Sequence, residues 1–337
     1  MRVNIIFRQG LIGDTIVAIP ALHHLRKDRL PSRNVYVSII QSEGQYRPSQ
    51  ILDGANLIDQ FILVRKYSTF LYIKDLLSLY VFILKSQRFD SYVYLLESDD
   101  FNNKRKKKLL QLLGIAKVEC IDKSISSNIV SQLLEVVGGI SAVKKSRQYP
   151  EFTYLDNVED IFVRRWLEQQ KYKKLYALAI NANFQSKTWE VKKFLKIAME
   201  VYTKTGFKPV LMGGVNDIKS NQSFIDKLGF GYNIAGIFTL KHSIEIMKYM
   251  GFYLGNDTGV MHMAALRNTQ CFAIFSGIEK KKKWLPYGVG HRVYLFETMC
   301  RGCLLRVCNQ KVHLCMDGIS TKNVIEDIEL YINKRDM

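Results

Sequence analysis

The chain has 337 residues, of which 47% are hydrophobic and 24% are charged. This length and composition suffice for two globular domains with large cores, and they exclude an extensively disordered chain. The formal net charge of +18 at pH 7 favours anionic partners, such as nucleotides, nucleic acid, phosphorylated glycolipid or an anionic membrane face.

Strand and helix patterns alternate along the chain, which is typical of parallel sheets covered by helices on both faces. A hinge is predicted at residues 171–174. It divides the chain into an N-terminal domain at residues 1–170, a C-terminal domain at 171–319 and a helical segment at 320–337. The predicted strands are residues 2–7, 35–40, 61–64, 91–95, 176–181, 209–212, 252–254 and 270–275. The predicted helices are residues 15–26, 70–85, 158–170, 191–205, 220–228, 240–250 and 321–333, with one more near Leu109 and one after residue 258.

No secretory signal is predicted, because Asn4 and Arg8 interrupt the N-terminal apolar stretch. Six cysteines are too few for a disulfide framework at this length, so a cytoplasmic location is expected. The most apolar stretch, residues 70–84, is broken by Lys74 and Asp75 and is too short to span a bilayer. We interpret it as a buried or half-buried helix in preference to one that lies on a membrane.

The first candidate site is the turn at residues 8–15, between the first strand and the first helix. Its glycines, Gly10 and Gly13, do not have the spacing of the dinucleotide-binding fingerprint. Asp14 is either the N-cap of a helix that begins at Thr15 or a carboxylate with a chemical role.

The second candidate site is a strand–turn–helix pattern at residues 253–265. Asp257 and Thr258 occupy positions where a helix N-cap belongs, and Gly259 lets a ligand approach the backbone closely. A helix N-terminus at the end of a strand offers unpaired amides and a positive dipole end, which suit a phosphate. His262 either reaches the same anion or faces the core.

Five motifs, in chain order, resemble those of glycosyltransferase family 9, the ADP-heptose:lipopolysaccharide heptosyltransferases. They are residues 10–15 with 20–22, Lys187-Thr188-Trp189, residues 208–214, residues 255–265, and residues 284–288 with 291–293. The resemblance implies an α/β fold of the GT-B type, in which two Rossmann-like domains face each other across a cleft. It also implies that the N-terminal domain binds the acceptor, that the C-terminal domain binds the nucleotide sugar, and that the final helix packs back on the first domain.

The resemblance further implies an inverting transfer by direct displacement, without a catalytic metal. Asp14 matches the family's motif aspartate and is the candidate general base, with Gly13 and Thr15 beside it on the acceptor side. Lys187 is either the clamp for the leaving diphosphate, for which a flexible point charge is suited, or one surface lysine among many. The expected donor is ADP-heptose, although another nucleotide sugar remains open. The expected acceptor is a lipopolysaccharide core or a related lipid-linked glycan.

Further residues complete the expected donor site. Thr188 lies beside Lys187 in the motif, and the amides of Thr258 and Gly259 are expected to hold the phosphate. Asp257 either caps the helix or accepts a hydrogen bond from a sugar hydroxyl. The Gly213–Gly214 pair either permits approach of the nucleotide or forms a simple turn.

Four cysteines near the C-terminus are interpreted as free thiols, with a structural zinc site as the lesser alternative. They are Cys300, Cys303, Cys308 and Cys315. Six residues separate the second pair where two to four are usual, so the zinc pattern is incomplete, and His313 is an alternative ligand.

Two departures from the family leave the transferred sugar open. Phe275-Ser276-Gly277-Ile278 replaces a Phe-Gly-Pro-Thr sequence, and a charged run at residues 279–283 precedes Trp284. A nucleotide-sugar epimerase of the same architecture, a basic nucleic-acid-binding protein and an inactive sugar-binding protein are the alternatives. No nucleic-acid partner is expected, because no recognised motif appears. The basic charge suggests a peripheral position on the inner membrane face.

Overall fold

The structure, a computed structural model, describes residues 2–27, 32–43, 45–86, 90–96, 100–112, 114–115, 117–121, 128–145, 149, 157–170, 174–279 and 283–334. The chain divides into two compact units, Met1–Asp156 and Asn157–Met337. We call them the first and second units.

The first unit contains five parallel strands among the described residues, in the order β3-β2-β1-β4-β5. The strands are β1 (Arg2–Phe7), β2 (Ser32–Ile40), β3 (Gln60–Arg65), β4 (Asp90–Leu95) and β5 (Val118–Cys120). The helices are α1 (Ile12–Lys27), α2 (Ser49–Leu52), α3 (Thr69–Ser86), α4 (Asp100–Leu112) and α5 (Ile129–Lys145). The strands carry consecutive apolar residues because helices cover the parallel sheet.

The second unit contains six parallel strands among the described residues, in the order β11-β10-β9-β6-β7-β8. The strands are β6 (Leu175–Ala179), β7 (Lys208–Leu211), β8 (Tyr232–Asn233), β9 (Tyr253–Asn256), β10 (Cys271–Phe275) and β11 (Arg292–Leu295). The helices are α6 (Asn157–Gln170), α7 (Val191–Thr205), α8 (Ile218–Leu228), α9 (Leu240–Glu245), α10 (Gly259–Leu266), α11 (Leu314–Asp317) and α12 (Thr321–Asn333). Short 3₁₀ turns lie at Gln185–Lys187, Val215–Asp217 and Ile246–Tyr249.

Helix α6 lies in the second unit, whereas the sequence placed it at the end of the first domain. Its Trp166 ring packs edge-on against Tyr232 and Phe238, both of the second unit. Those aromatic contacts could not be read from the local pattern. The predicted hinge at residues 171–174 lies outside the described residues except for Lys174.

Helix α12 also belongs to the second unit, and its packing against the first domain stays a prediction. Four of its side chains are buried in the core of the second unit, together with residues of α7. They are Val324, Ile325, Ile328 and Ile332. A 2.7 Å ion pair between Lys204 of α7 and Glu329 of α12 borders this contact.

Both parallel sheets have a Rossmann-type strand order, in which successive strands are added first on one side of the sheet and then on the other. The reversal falls between β1 and β4 in the first unit and between β6 and β9 in the second. In open parallel sheets, ligands bind outside the carboxyl ends of the strands at this point. Residues 8–15, here called the β1 turn, and residues 257–262, here called the β9 turn, both follow strands at these reversals.

Candidate functional site

Asp14 lies inside the first turn of α1, because the helix begins at Ile12 and not at Thr15. The interpretation of Asp14 as the N-cap is therefore wrong. Its Oδ2 accepts a hydrogen bond from the backbone N–H of Leu11, at 2.9 Å. A carboxylate that reaches back from the third helical position satisfies an amide that the helix itself leaves unpaired.

A buried arginine orients this carboxylate. The Arg8 side chain is only 1% exposed, and its Nη2 donates to Asp14 Oδ1 at 3.0 Å. Its Nε donates to the backbone oxygen of Asp14 at 2.9 Å, and its Nη1 donates to the backbone oxygen of Leu96. Arg8 was not among the predicted site residues, although a charged residue directly after an apolar strand is a signal in the sequence.

The rest of the β1 turn is tightly packed around Asp14. Gly10 has φ +145°, and a Cβ at this position would lie 2.2 Å from Asp14 Cγ, so only glycine fits. Gly13 is half-buried in the first helical turn, and Thr15 is buried.

Two tyrosine hydroxyls lie beside this turn. Tyr36 Oη and Tyr46 Oη are buried, and neither makes a hydrogen bond of ordinary geometry. The nearby Thr15 hydroxyl lowers the pKa of both phenols. Burial outweighs this effect and raises the pKa of both phenols far above the usual value. Both hydroxyls therefore stay protonated near neutral pH and can hydrogen-bond to a polar ligand.

The β9 turn leaves the N-terminus of α10 without a side-chain cap. Thr258 is the N-cap residue by its extended backbone, but its side chain accepts no bond from the helix. Its buried Oγ1 makes no hydrogen bond of ordinary geometry, although it lies beside the Tyr253 hydroxyl. The amides at Gly259 and beyond therefore meet no competing side-chain acceptor, which is the arrangement that suits an anion.

Lys187 and Asp257 form an ion pair at this turn, with Nζ and Oδ2 separated by 2.6 Å. The pair forms because β6 and β9 are neighbouring strands, and each residue lies beyond the carboxyl end of one of them. The two side chains are 17% and 9% exposed. Lys187 is therefore not one of the solvated surface lysines, and Asp257 contacts the lysine without capping α10.

Buried hydrogen bonds hold the segment that carries Lys187. The Trp189 backbone N–H donates to Asn256 Oδ1 at 3.1 Å, and Asn256 Nδ2 donates to the backbone oxygen of Ile180 at 2.8 Å. Trp189 Nε1 donates to the backbone oxygen of Met316 at 2.9 Å. Thr188 Oγ1 turns back to the oxygen of Phe184, at 3.2 Å. Asn256 was not among the predicted site residues, although a polar residue that closes an apolar strand is a signal in the sequence.

Glycines shape the strand ends around the ion pair. A Cβ at Gly255 would lie 2.6 Å from the backbone oxygen of Ala179, so β9 can approach β6 this closely only with glycine. A Cβ at Gly213 would lie 2.6 Å from Asp217 Oδ2, and the Gly214 N–H donates to the same oxygen at 2.9 Å. The Gly213–Gly214 pair therefore forms a turn. The space beside Gly214 is nevertheless open, since no atom lies within 4 Å of a Cβ built there.

A cavity of about 220 Å³ opens beside Asp257. Its polar wall contains Glu279, the Glu297–Arg301 ion pair and Ser276, whose buried Oγ makes no hydrogen bond. Trp284 supplies an aromatic surface. Burial raises the pKa of the Glu279 carboxyl, while the nearby Lys187 opposes that rise. A few polar groups beside an aromatic ring are typical of a small-ligand site.

His262 is buried at the base of α10, and its ring meets the Trp284 ring edge-on with centroids 6.3 Å apart. It thus lies behind one wall of the cavity. Contact with a diphosphate stays a prediction for this residue.

The four C-terminal cysteines are free thiols. Burial raises the pKa of the Cys315 thiol, and the nearby Cys300, Cys308 and Cys303 raise it further, so the four lie in one neighbourhood. Within the described part of the chain, however, no three His, Cys, Asp or Glu side chains are grouped so that they could hold a metal ion. The geometry thus gives the alternative of a structural zinc site no support.

The two units place the protein in the class of doubly wound α/β proteins, and the second unit has an uncapped helix N-terminus with a lysine beside it. Residues 118–313, more than half of the chain, match the family described as glycosyltransferase family 9 (heptosyltransferase). The chain belongs to this family.

Individual relatives agree with this assignment. Lipooligosaccharide heptosyltransferase 2 of Campylobacter jejuni is 24% identical over 167 residues, which are 47% of this chain and 51% of that protein. The alignment therefore spans about half the length of that relative. The glycosyl transferase family 9 structure from Veillonella parvula has a TM-score of 0.76 at 18% identity, covering 99% of this chain and 97% of the other. The E. coli heptosyltransferase WaaC with ADP-2-deoxy-2-fluoro heptose has a TM-score of 0.60 at 14% identity, covering 97% and 100%. At these identities the structures establish the shared fold.

Proposed function

We propose that this protein is an inverting glycosyltransferase that moves heptose from ADP-heptose onto a lipopolysaccharide core or a related cell-surface glycan. One observation carries the proposal: the Lys187–Asp257 ion pair lies at the uncapped N-terminus of α10, beside a polar cavity. Family membership supports the reaction class, and the ADP-sugar in the WaaC structure supports the choice of donor.

The donor diphosphate would lie between Lys187 Nζ and the first amides of α10. The ammonium group and the positive end of the helix both stabilise the negative charge that develops on the leaving diphosphate. Asp257 keeps the ammonium group in place when no ligand is bound. This arrangement supplies the charge that a magnesium ion supplies in other transferases, so we propose catalysis without a metal cofactor.

The acceptor would bind at the β1 turn, where Asp14 is the proposed base. Asp14 takes the proton from the acceptor hydroxyl as its oxygen attacks the anomeric carbon. The bond from that carbon to the diphosphate oxygen breaks, and the nucleoside diphosphate leaves. Arg8 acts as a positioning residue, because it fixes the carboxylate through Oδ1 and the backbone oxygen.

The cavity beside Asp257 would receive the sugar. Glu279 and Ser276 can hydrogen-bond to sugar hydroxyls, and Trp284 can pack against the apolar face of the ring. Because Ser276 and Glu279 lie in the segments that depart from the family pattern, they are the positions that we expect to select the transferred sugar.

The first experiment is calorimetric titration of ADP, UDP, GDP and CDP into the wild type, Lys187→Ala and Lys192→Ala. Lys192 is the matched control, since it lies nearby with its side chain 87% exposed. We expect ADP alone to bind tightly, with at least about tenfold weaker binding in Lys187→Ala and no change in Lys192→Ala. No nucleotide binding by the folded wild type would reject the donor site.

The second experiment tests transfer itself. ADP-heptose is supplied with and without a truncated lipopolysaccharide core, in the presence of a metal chelator. We expect ADP release that depends on the acceptor and that persists with the chelator. Conversion of the nucleotide sugar without any acceptor would instead favour the epimerase.

The lipid-linked acceptor suggests where the protein works. We propose a cytoplasmic protein bound peripherally to the anionic inner membrane face. The net charge of +18 supports this location.

A further inference from the structure

Helix α3 is apolar on two opposite faces. The inner face packs on the sheet through Leu79 and Ile83, which are buried in the core of the first unit. The outer face is exposed to solvent, with Phe70 at 74%, Leu77 at 61% and Ile73 at 54% exposure. A helix that is apolar all round is normally covered on all sides, so the outer face needs an apolar environment.

The exposed apolar residues form one continuous strip. We define the α3 strip as Phe70, Ile73, Leu77, Val81 and Leu84, all of which are exposed. At 3.6 residues per turn they fall within an arc of about 80° and extend over about 20 Å of helix. The strip therefore continues along most of the helix and is more than a set of scattered surface contacts.

Positive charge surrounds the α3 strip. Lys66, Lys74 and Lys85 lie before, within and at the end of α3, and all three are exposed. The helix contains one acidic residue, Asp75, and Arg65 neutralises it through bonds of 2.7 and 2.8 Å. The charge of the helix and its immediate flank is thus positive.

Helix α4 extends the basic surface on the same side of the sheet. Leu110 of α4 packs against the same core cluster as Leu79 and Ile83 of α3, so both helices cover one face. Residues 104–108 are all lysine or arginine. Leu112, at the end of α4, is exposed like the α3 strip.

We propose that the α3 strip and α4 form a docking surface for an anionic lipid bilayer. An apolar strip with flanking cations is the pattern of a helix that lies in the membrane interface, where apolar side chains enter the acyl boundary and lysines meet lipid phosphates. No helix among the described residues is long and apolar enough to cross a bilayer. The biological reason for this lipid binding rests on the proposed function. The binding itself can be measured without any transfer reaction.

Co-sedimentation with vesicles tests the surface. We expect the wild type to bind vesicles that contain phosphatidylglycerol, and to bind phosphatidylcholine vesicles weakly. Phe70→Ser/Leu77→Ser should weaken binding at least about tenfold, because two large side chains no longer enter the lipid. Lys104→Gln/Arg105→Gln/Lys108→Gln should weaken binding to anionic vesicles and reduce its dependence on salt.

Val215→Ser/Ile237→Ser is the matched control, since these two apolar residues are 70% and 58% exposed but lie in the second unit. We expect the control to bind as the wild type does. ADP binding of every variant is measured in parallel, so that loss of lipid binding with intact ADP binding is distinguished from misfolding or from failure of the donor site.

A second measurement uses Phe70→Trp with brominated lipid. The three natural tryptophans, Trp166, Trp189 and Trp284, all lie in the second unit, so additional quenching in the variant reports on α3. We expect that additional quenching with anionic vesicles. Absence of wild-type binding at low salt, or unchanged binding in Phe70→Ser/Leu77→Ser, overturns the proposal. Self-association that this double variant abolishes, without lipid binding, would assign the α3 strip to a protein interface and would also overturn it.

Discussion

The β1 turn and the β9 turn occupy equivalent places in two similar sheets, yet they have opposite chemistry. At the β1 turn a carboxylate fills the helix N-terminus, since Asp14 accepts the Leu11 amide while Arg8 holds it from behind. At the β9 turn the carboxylate of Asp257 points to Lys187, and α10 begins without a cap.

This difference shows that strand order fixes where a ligand site lies and that a few side chains decide its charge preference. A helix N-terminus occupied by a carboxylate repels phosphate, whereas an uncapped one beside a lysine attracts it. The β9 turn is therefore the one of the two that favours an anion, which agrees with the donor site proposed there.

The largest expected effect comes from removing the charge at the β1 turn. Asp14→Asn should lower turnover by about 10²- to 10⁴-fold, since the amide cannot take the acceptor proton. The ADP dissociation constant should not change, because the donor site lies in the other unit. Steady-state kinetics and calorimetry measure the two quantities. Asp59→Asn is the control, since Asp59 pairs with Arg26 on the surface of the same unit. Turnover within twofold of the wild type would remove Asp14 as the base.

The second test makes the β9 turn resemble the β1 turn. Thr258→Asp places a carboxylate at the N-terminus of α10, which should weaken ADP binding by about tenfold or more while the helix gains about 0.5–2 kcal/mol from the cap. Calorimetric titration and a thermal melt measure both changes. Thr258→Ser keeps the hydroxyl and should bind ADP normally. Undiminished ADP affinity in Thr258→Asp would show that phosphate does not bind at this helix end.

The third test concerns how the second unit, which carries the β9 turn, responds to acid. His291 Nδ1 accepts from the Cys271 N–H at 3.2 Å at the start of β10, and burial lowers the pKa of His291 below 6.5. The folded state therefore favours the neutral ring. The stability that the neutral His291 ring contributes to the folded state is present above pH 6.5 and is lost as the pH falls through the folded-state pKa.

His291→Gln should remove this acid sensitivity. Between about pH 8 and pH 5, the melting temperature of the second unit should fall about 2–4 °C further in the wild type than in the variant. Differential scanning calorimetry across that range measures the difference, and His313→Gln is the control. Parallel pH profiles for the wild type and His291→Gln would contradict the prediction.

The smallest expected effect concerns Glu279 in the cavity. Its pKa is raised in the folded state, so its ionisation opposes folding as the pH rises above 4.5. Glu279→Gln should therefore raise the melting temperature by about 1–2 °C near neutral pH and by nothing below pH 4.5. Thermal melts at several pH values test this, with the exposed Glu190→Gln as the control. A lower melting temperature for Glu279→Gln at neutral pH would contradict the expected sign.

Sequence reasoning recovered the alternating α/β order and both turns, because apolar periodicity and glycine positions are local signals. It placed the start of α1 at Thr15, since the backbone amide that Asp14 satisfies is visible only in three dimensions. It overlooked Arg8, which bonds to Asp14 six residues away and to Leu96 88 residues away. It also overlooked Asn256, whose partner Ile180 lies 76 residues away. The short strands β5, β8 and β11 and the helices α2, α5 and α11 were not predicted either.

The sequence by itself determined the two-unit α/β architecture, the family resemblance and the residues Asp14, Lys187 and Asp257 as candidates. Those features depend on spacing along the chain, which the sequence contains directly. Only the tertiary structure decided that Lys187 pairs with Asp257, that α12 completes the second core and that the outer face of α3 is exposed. Each of these features depends on which elements lie next to each other in the fold, and the order of strands in the sheets determines those neighbours.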